Sequence, residues 1–150
     1  MTRYWIFSSR SLDHIRRAYE RLLWGFWDRD AGKKQRLNWR YFIRKYNQIK
    51  PFDVAIFQIS STQEIHALGI IKGTYYDDQT PVWDIEFSEN RVLFPWRVSL
   101  AFMLFSEEPV ARLSARISDY IDGYGLGEIE RHEFEAVVSR FRERFGELRL

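Results

Sequence analysis

The spacing of apolar and polar positions divides the chain into segments of changing period. Arg3-Tyr4-Trp5-Ile6-Phe7-Ser8 is rich in aromatic and branched residues and predicts a first strand. Ser11 can cap a helix that begins at Leu12. There Leu12, Ile15, Tyr19, Leu22 and Leu23 keep helical spacing, while Arg16, Arg17, Glu20 and Arg21 take the other face. Gly25 is a plausible helix end, and residues 24–37 lack a period and predict a loop. Asn38 can open a second helix, with Trp39, Phe42, Ile43 and Tyr46 on one face.

Lys50-Pro51-Phe52-Asp53 reads as a turn into two buried-type strands, 54–60 and 65–73, predicted to form a hairpin. Segments 82–87 and 91–104 predict further strands, interrupted at Pro95. A helical pattern starts at Pro109 and runs through Val110, Leu113, Ile117 and Ile121. Residues 122–127 form a glycine-rich break, and 130–145 is the clearest helix, striped by Phe134, Val137, Val138, Phe141 and Phe145. The order predicts one α+β domain over residues 1–150, with a mostly antiparallel sheet and helices at its ends.

Charge adds a direction to this picture. The net charge is only +2, but residues 1–50 carry 13 Lys and Arg against 4 Asp and Glu, a net +9. Residues 51–100 are net −4 and residues 101–150 net −3. The asymmetry points to an anionic partner at one face, or to helix faces neutralised by acidic residues in the fold. No cysteine is present, which excludes disulfides and thiolate metal sites and suits a cytoplasmic location. No secretory signal and no run long enough to span a bilayer is legible, so a membrane partner is not expected.

Catalytic signatures are weak. His14, His66 and His132 are scattered without metal-ligand spacing. Asp77 and Asp78 are adjacent and seldom converge on one point, and the glycines at 123, 125 and 127 do not follow a strand as a dinucleotide loop requires. The expectation is a binding module with no catalytic residue, metal or cofactor. Residues 24–45 carry the chemistry: Trp24, Phe26, Trp27, Trp39, Tyr41 and Phe42 interleave with Arg29, Lys33, Lys34, Arg36, Arg40, Arg44 and Lys45. Cations meet phosphates and aromatic faces stack on bases, the pattern of a nucleic-acid surface.

Several segments together resemble EVE domains and their YTH relatives in the PUA-like superfamily. These are Tyr-Trp-Ile-Phe-Ser-Ser at 4–9, Leu-Leu-Trp-Gly at 22–25, Lys-Pro-Phe-Asp-Val-Ala-Ile-Phe at 50–57, Ala-Leu-Gly-Ile-Ile-Lys-Gly at 67–73 and Thr-Pro-Val-Trp-Asp-Ile at 80–85. The ordered set covers about residues 3–105. It departs from the usual Lys-Pro-Gly-Asp in having Phe52. The resemblance implies a partly open β-barrel of about five to six strands flanked by helices. It also implies a reader of a methylated base, N6-methyladenine or a 5-modified cytosine, flipped into an aromatic cage.

On that resemblance Trp24 and Trp83 are the cage walls, with Trp27 nearby. Ser8, Ser9, Asp13 and His14 lie where base-edge contacts fall, and Arg10, Arg29, Lys33, Lys34 and Arg36 would hold phosphates. Removing either cage Trp is expected to abolish preference for the modified base and leave the fold intact. The N-terminal domains of McrBC-type restriction GTPases belong to the same resemblance, so DNA is the favoured partner, with a fused or associated GTPase or nuclease effector. The alternatives are an RNA reader, a protein-interaction domain in which Trp24 and Trp83 are buried apart, and a small hydrolase built on His66 or His132.

Overall fold

A parallel pair of strands, β1 (Tyr4–Ser9) and β3 (Val54–Ile59), stands at the centre of the fold, paired from Tyr4↔Val54 to Ser9↔Ile59. A parallel pair needs a long crossover. Here it runs through α1 (Leu12–Arg21), β2 (Leu23–Phe26) and α2 (Arg36–Tyr46). The computed structural model describes residues 1–28, 36–113, 119–121 and 124–146, with 36, 37 and 119 through their backbone alone. Downstream come β4 (Glu64–Tyr76), α3 (Asp84–Glu89), β5 (Trp96–Phe105), β6 (Ala111–Arg112), β7 (Asp119–Ile121), β8 (Leu126–Ile129) and α4 (Arg131–Phe145).

The sheet order is β2-β5-β4-β3-β1-β8-β7, with β6 paired to β4. Every pairing except β1–β3 is antiparallel. The sheet curls into a half-barrel flanked by helices, an α+β architecture. Eight strands are described where five to six were expected; β6 and β7 are two and three residues long.

Alternation along the strands splits the core in two. Trp5 and Phe7 of β1 join Ala55 and Phe57 of β3, Ile15 and Ala18 of α1, and Phe42 and Tyr46 of α2. Ile6 and Ile56 point to the other face, against Phe134, Val137, Val138 and Phe141 of α4.

Four segments depart from their predicted form, one of them residues 91–94, expected to begin a strand that starts instead at Trp96. Residues 24–26, expected in a loop, form β2 together with Leu23, expected in the helix, because all four pair with residues 96–99 of β5 at the sheet edge. Segment 82–87, expected as a strand, turns into α3. The buried Glu86 carboxylate explains the turn: it accepts from the backbone N–H of Val82 (2.8 Å) and Trp83 (3.1 Å), and of Leu93 (2.8 Å) and Phe94 (3.1 Å). The helical spacing after Pro109 is overridden by pairing, since Ala111 and Arg112 join β4 and residues 119–121 join β8.

The Lys-Pro-Phe-Asp turn shows why it exists. Buried Asp53 accepts from the backbone N–H of Arg3 (3.0 Å) and Lys50 (2.9 Å) and from Trp5 Nε1 (2.9 Å). It thereby ties the first strand to the turn. Phe52 pays the geometric penalty at φ 73°, in the left-handed region, and its side chain is 79% exposed. A non-glycine residue there is strained by about 1–2 kcal/mol, and an exposed ring returns little packing. Phe52→Gly is therefore expected to raise stability by up to about 1 kcal/mol, a rise in melting temperature of roughly 2–4 °C, measured by thermal unfolding.

Candidate functional site

A cleft of about 1500 Å³ opens at the carboxyl ends of β1 and β3. Open sheets place ligands where parallel strands end and the chain leaves in different directions. The floor holds Ser8, Ser9 and Gln58; the start of α1 supplies Ser11, Asp13 and His14; Trp27, Trp83 and Phe94 form the aromatic side. Ser11 caps α1, its side chain accepting from the Asp13 N–H at 3.0 Å. The uncompensated N–H groups of a helix start favour an anion nearby.

His14 is the centre of the aromatic side. Its ring stacks on Trp83 with centroids 4.5 Å apart and planes 5° off parallel. Trp24 meets it edge-on at 4.6 Å, and Phe94 does so at 4.6 Å. The Trp83 indole N–H donates to the His14 carbonyl at 3.1 Å, and His14 Nε2 donates to the Gly25 carbonyl at 3.3 Å. Burial pushes the His14 pKa down to about 3, and the Gly25 hydrogen bond offsets part of that. The imidazole is neutral at pH 7, a planar heterocycle seated in an aromatic box.

The box is rigidly backed. A Cβ on Gly25 would lie 2.7 Å from the Trp83 ring and 2.8 Å from Phe94, so only glycine lets β2 pass this close. Arg97, 1% exposed, lies 5.5 Å over the Trp83 ring and donates to the carbonyls of Phe94 (3.0 Å) and Thr80 (2.6 Å). Glu86 holds the backbone on both sides of this segment, as described above.

The expected site residues fare unequally. Trp83, Trp27, Ser8, Ser9, Arg10, Asp13 and His14 all line the cleft. Trp24 does not; it is 1% exposed, packed among Phe7, Phe26 and Phe57. Trp24 and Trp83 do not face each other across an open slot, because His14 fills the space between them. Both are core residues (Trp83 is 2% exposed), so the expectation that their removal leaves the fold intact is corrected. Truncating a buried Trp costs about 3–5 kcal/mol.

Trp27 is half-buried and meets Phe94 edge-on at 5.2 Å, forming the outer lip. Asp13 is engaged by Arg16, which also pairs with Glu107 at 2.7 Å; Arg17 pairs with Asp84 at 2.6 Å. Arg10 is exposed and pairs with no described residue. Arg29, Lys33 and Lys34 lie outside the described residues, as does the side chain of Arg36. Neither His66 nor His132 lines the cleft. His66 donates from Nδ1 to the Ser106 carbonyl at 3.0 Å, and His132 sits by Glu130 on α4.

Sequence reasoning missed further cleft residues, Phe94 and Gln58 among them. Phe94 sits beside a proline in a segment read as a strand. Gln58 is the one polar residue in the buried run from Val54 to Phe57 and Ile59, and that isolation was a usable signal. Its Nε2 donates to Ser8 Oγ at 2.9 Å, while its buried Oε1 has no hydrogen-bond partner among the described residues.

The fold and cleft define an α+β module with a curled sheet and a cleft at its parallel strand ends. The chain belongs to the same family as the uncharacterized protein MJ1369 of Methanocaldococcus jannaschii. It is 59% identical to that protein over 143 residues, which cover 95% of this chain and 92% of the relative. No family model matches the chain. Among solved structures, a Pseudomonas putida protein known from its X-ray structure is similar in fold, with a TM-score of 0.50 and 14% identity over 91% of this chain and 98% of that one. The YTH domain of the Zygosaccharomyces rouxii MRB1 protein, solved in complex with N6-methyladenosine RNA, aligns with a TM-score of 0.49 and 12% identity, over 99% of this chain and 87% of that one.

Proposed function

We propose that the protein reads a methylated base in nucleic acid, and that the base takes the place of His14 in the aromatic box. The observation that carries this reading is the stacked imidazole itself. A flat nitrogen heterocycle with one N–H to a backbone carbonyl already occupies a box that borders a cleft wide enough for a nucleotide. The resemblance to modified-base readers points to the same chemistry.

The magnitudes allow the exchange. Removing His14 forfeits a stacked pair worth about 0.5–1.5 kcal/mol. It also forfeits a hydrogen bond worth about 0.5–1.5 kcal/mol. A stacked base returns about 1–3 kcal/mol. The target must be single-stranded or locally opened, since only an unstacked base reaches the pocket. Exchange sets the affinity threshold and is common to both base forms. Discrimination comes from the methyl group, whose removal from water contributes about 0.8 kcal/mol, close to fourfold.

Arg10, at the rim beside the start of α1, meets the flanking phosphate. Arg10→Ala is expected to weaken modified and unmodified oligonucleotides by the same factor. It should also reduce the slope of log affinity against log salt by about 0.7–0.9, the value for one phosphate contact. A titration series over salt measures it; a change confined to the modified probe contradicts the assignment.

The partner is DNA or RNA, whose flipped bases share this chemistry. Matched deoxy and ribo probes at one salt concentration separate them. A targeting role beside a GTPase or nuclease is the form the function takes if the deoxy probe binds more tightly.

A further inference from the structure

We infer that Gln58 is a specificity-determining residue whose Oε1 accepts a hydrogen bond from the bound nucleotide. This rests on the base-reading function proposed above. Gln58 is 3% exposed and lines the cleft. Its amide is oriented by a neighbour: Nε2 donates to Ser8 Oγ at 2.9 Å, across the parallel register that pairs Ser8 with Gln58. Ser8 is in turn fixed by its own N–H, which donates to the Gly125 carbonyl at 2.8 Å. That arrangement leaves Oε1 as the atom without a partner among the described residues.

Buried carbonyl-type oxygens are nearly always satisfied, and one that is not calls for an explanation. The backbone supplies a second sign. The β3–β4 register shifts between Phe57 and Gln58. Bulges of this kind re-aim a side chain next to a site. A carboxamide oxygen held this way recognises a donor and disfavours a nucleotide that lacks one. Two donors on a bound nucleotide fit: an amino N–H on the base, which N6-methyladenine and 5-methylcytosine both keep, or the ribose 2′-hydroxyl.

The test titrates short single-stranded RNA carrying one modified base of the type the wild-type protein prefers. Two further probes each remove one donor group: the doubly methylated amino form (N6,N6-dimethyladenine, or N4,N4-dimethyl-5-methylcytosine) and the 2′-O-methyl form. With the wild-type protein, one of these is expected to bind about tenfold more weakly than the parent probe. Gln58→Met is expected to weaken the parent probe by a similar factor and to bind the donor-deleted probe no more weakly still. Its melting temperature should match or exceed wild type, because an unsatisfied buried acceptor is removed. Ser8→Ala, which frees the amide to turn over, should give a smaller loss of the same kind.

Equal binding of both donor-deleted probes and the parent by the wild-type protein overturns the inference without reliance on any variant. So does unchanged affinity in folded Gln58→Met. Either result leaves base reading intact if the modified probe is still preferred over the unmodified one. Absence of that preference in the wild-type protein, in RNA and in DNA alike, overturns both.

Discussion

Trp83→Ala is expected to erase the preference for a methylated over an unmodified base and to weaken the modified oligonucleotide about tenfold or more. Trp83 is the stacking face of the box: His14 lies parallel on it at 4.5 Å, the position the proposed exchange gives to the base. Loss of one stacked face removes about 1–3 kcal/mol. The methyl group loses the aromatic carbon that shields it from water, so the roughly fourfold preference goes with it.

Stability has to be separated from binding, because Trp83 is buried and its truncation costs about 3–5 kcal/mol. Two further variants do this. Phe141→Ala removes a fully buried ring from the α4 core, far from the box in the packing, at a similar cost. It should keep the preference at a temperature where both variants are folded. Trp83→Phe keeps a smaller aromatic face and loses the indole N–H to the His14 carbonyl, so it should retain part of the preference. Preference retained in folded Trp83→Ala removes Trp83 from the site.

Acid is expected to strengthen binding of the modified oligonucleotide while it weakens the free protein. Burial holds the His14 pKa at about 3 in the free protein. An imidazole expelled into water titrates near 6.5. Binding by exchange therefore takes up a proton below about pH 6.5, and affinity should rise about tenfold from pH 7.5 to 5.5.

The sign for folding is opposite. The unfolded chain binds a proton to His14 near pH 6.5 and the folded one only near 3. The stability is fully present above about 6.5 and is lost as pH falls through the window between those values. At pH 5.5 the loss is about 1.4 kcal/mol from this one group. His14→Ala should flatten the pH dependence of binding and raise affinity at pH 7.5, since no ring has to be displaced. Affinity that is flat with pH in the wild-type protein contradicts the exchange, because the base would then bind with His14 in place.

Several local features of the fold could be read from the chain, and the parts that could not share a cause. Ser11 as a helix cap, the α4 stripe and the turn at Asp53 are local: each depends on residues within a few positions of one another. His14 stood among the base-edge candidates on the family resemblance. Its seat against Trp83 depends on residues 69 positions apart, joined when Glu86 turns the segment around Trp83 and Phe94. No local pattern announces a carboxylate that collects four backbone N–H groups.

The same holds for Trp24. Its spacing to Trp27 allowed both to face one pocket. Pairing of β2 with β5 instead sends Trp24 into the core and leaves Trp27 at the lip. Gln58 was visible as a polar residue in an apolar strand. Its meaning needed the Ser8 contact and the bulge, which only the assembled sheet provides.

The central claim is that this cleft distinguishes a methylated base from its unmodified parent. The direct measurement is an equilibrium titration of the wild-type protein with matched single-stranded oligonucleotides at one salt concentration, differing only by one N6-methyladenine or one 5-methylcytosine. The expected result is a preference of about fourfold or more for one modified probe, the factor that burial of its methyl group supplies. Equal affinity for every modified probe and its parent, in both RNA and DNA, would contradict the account.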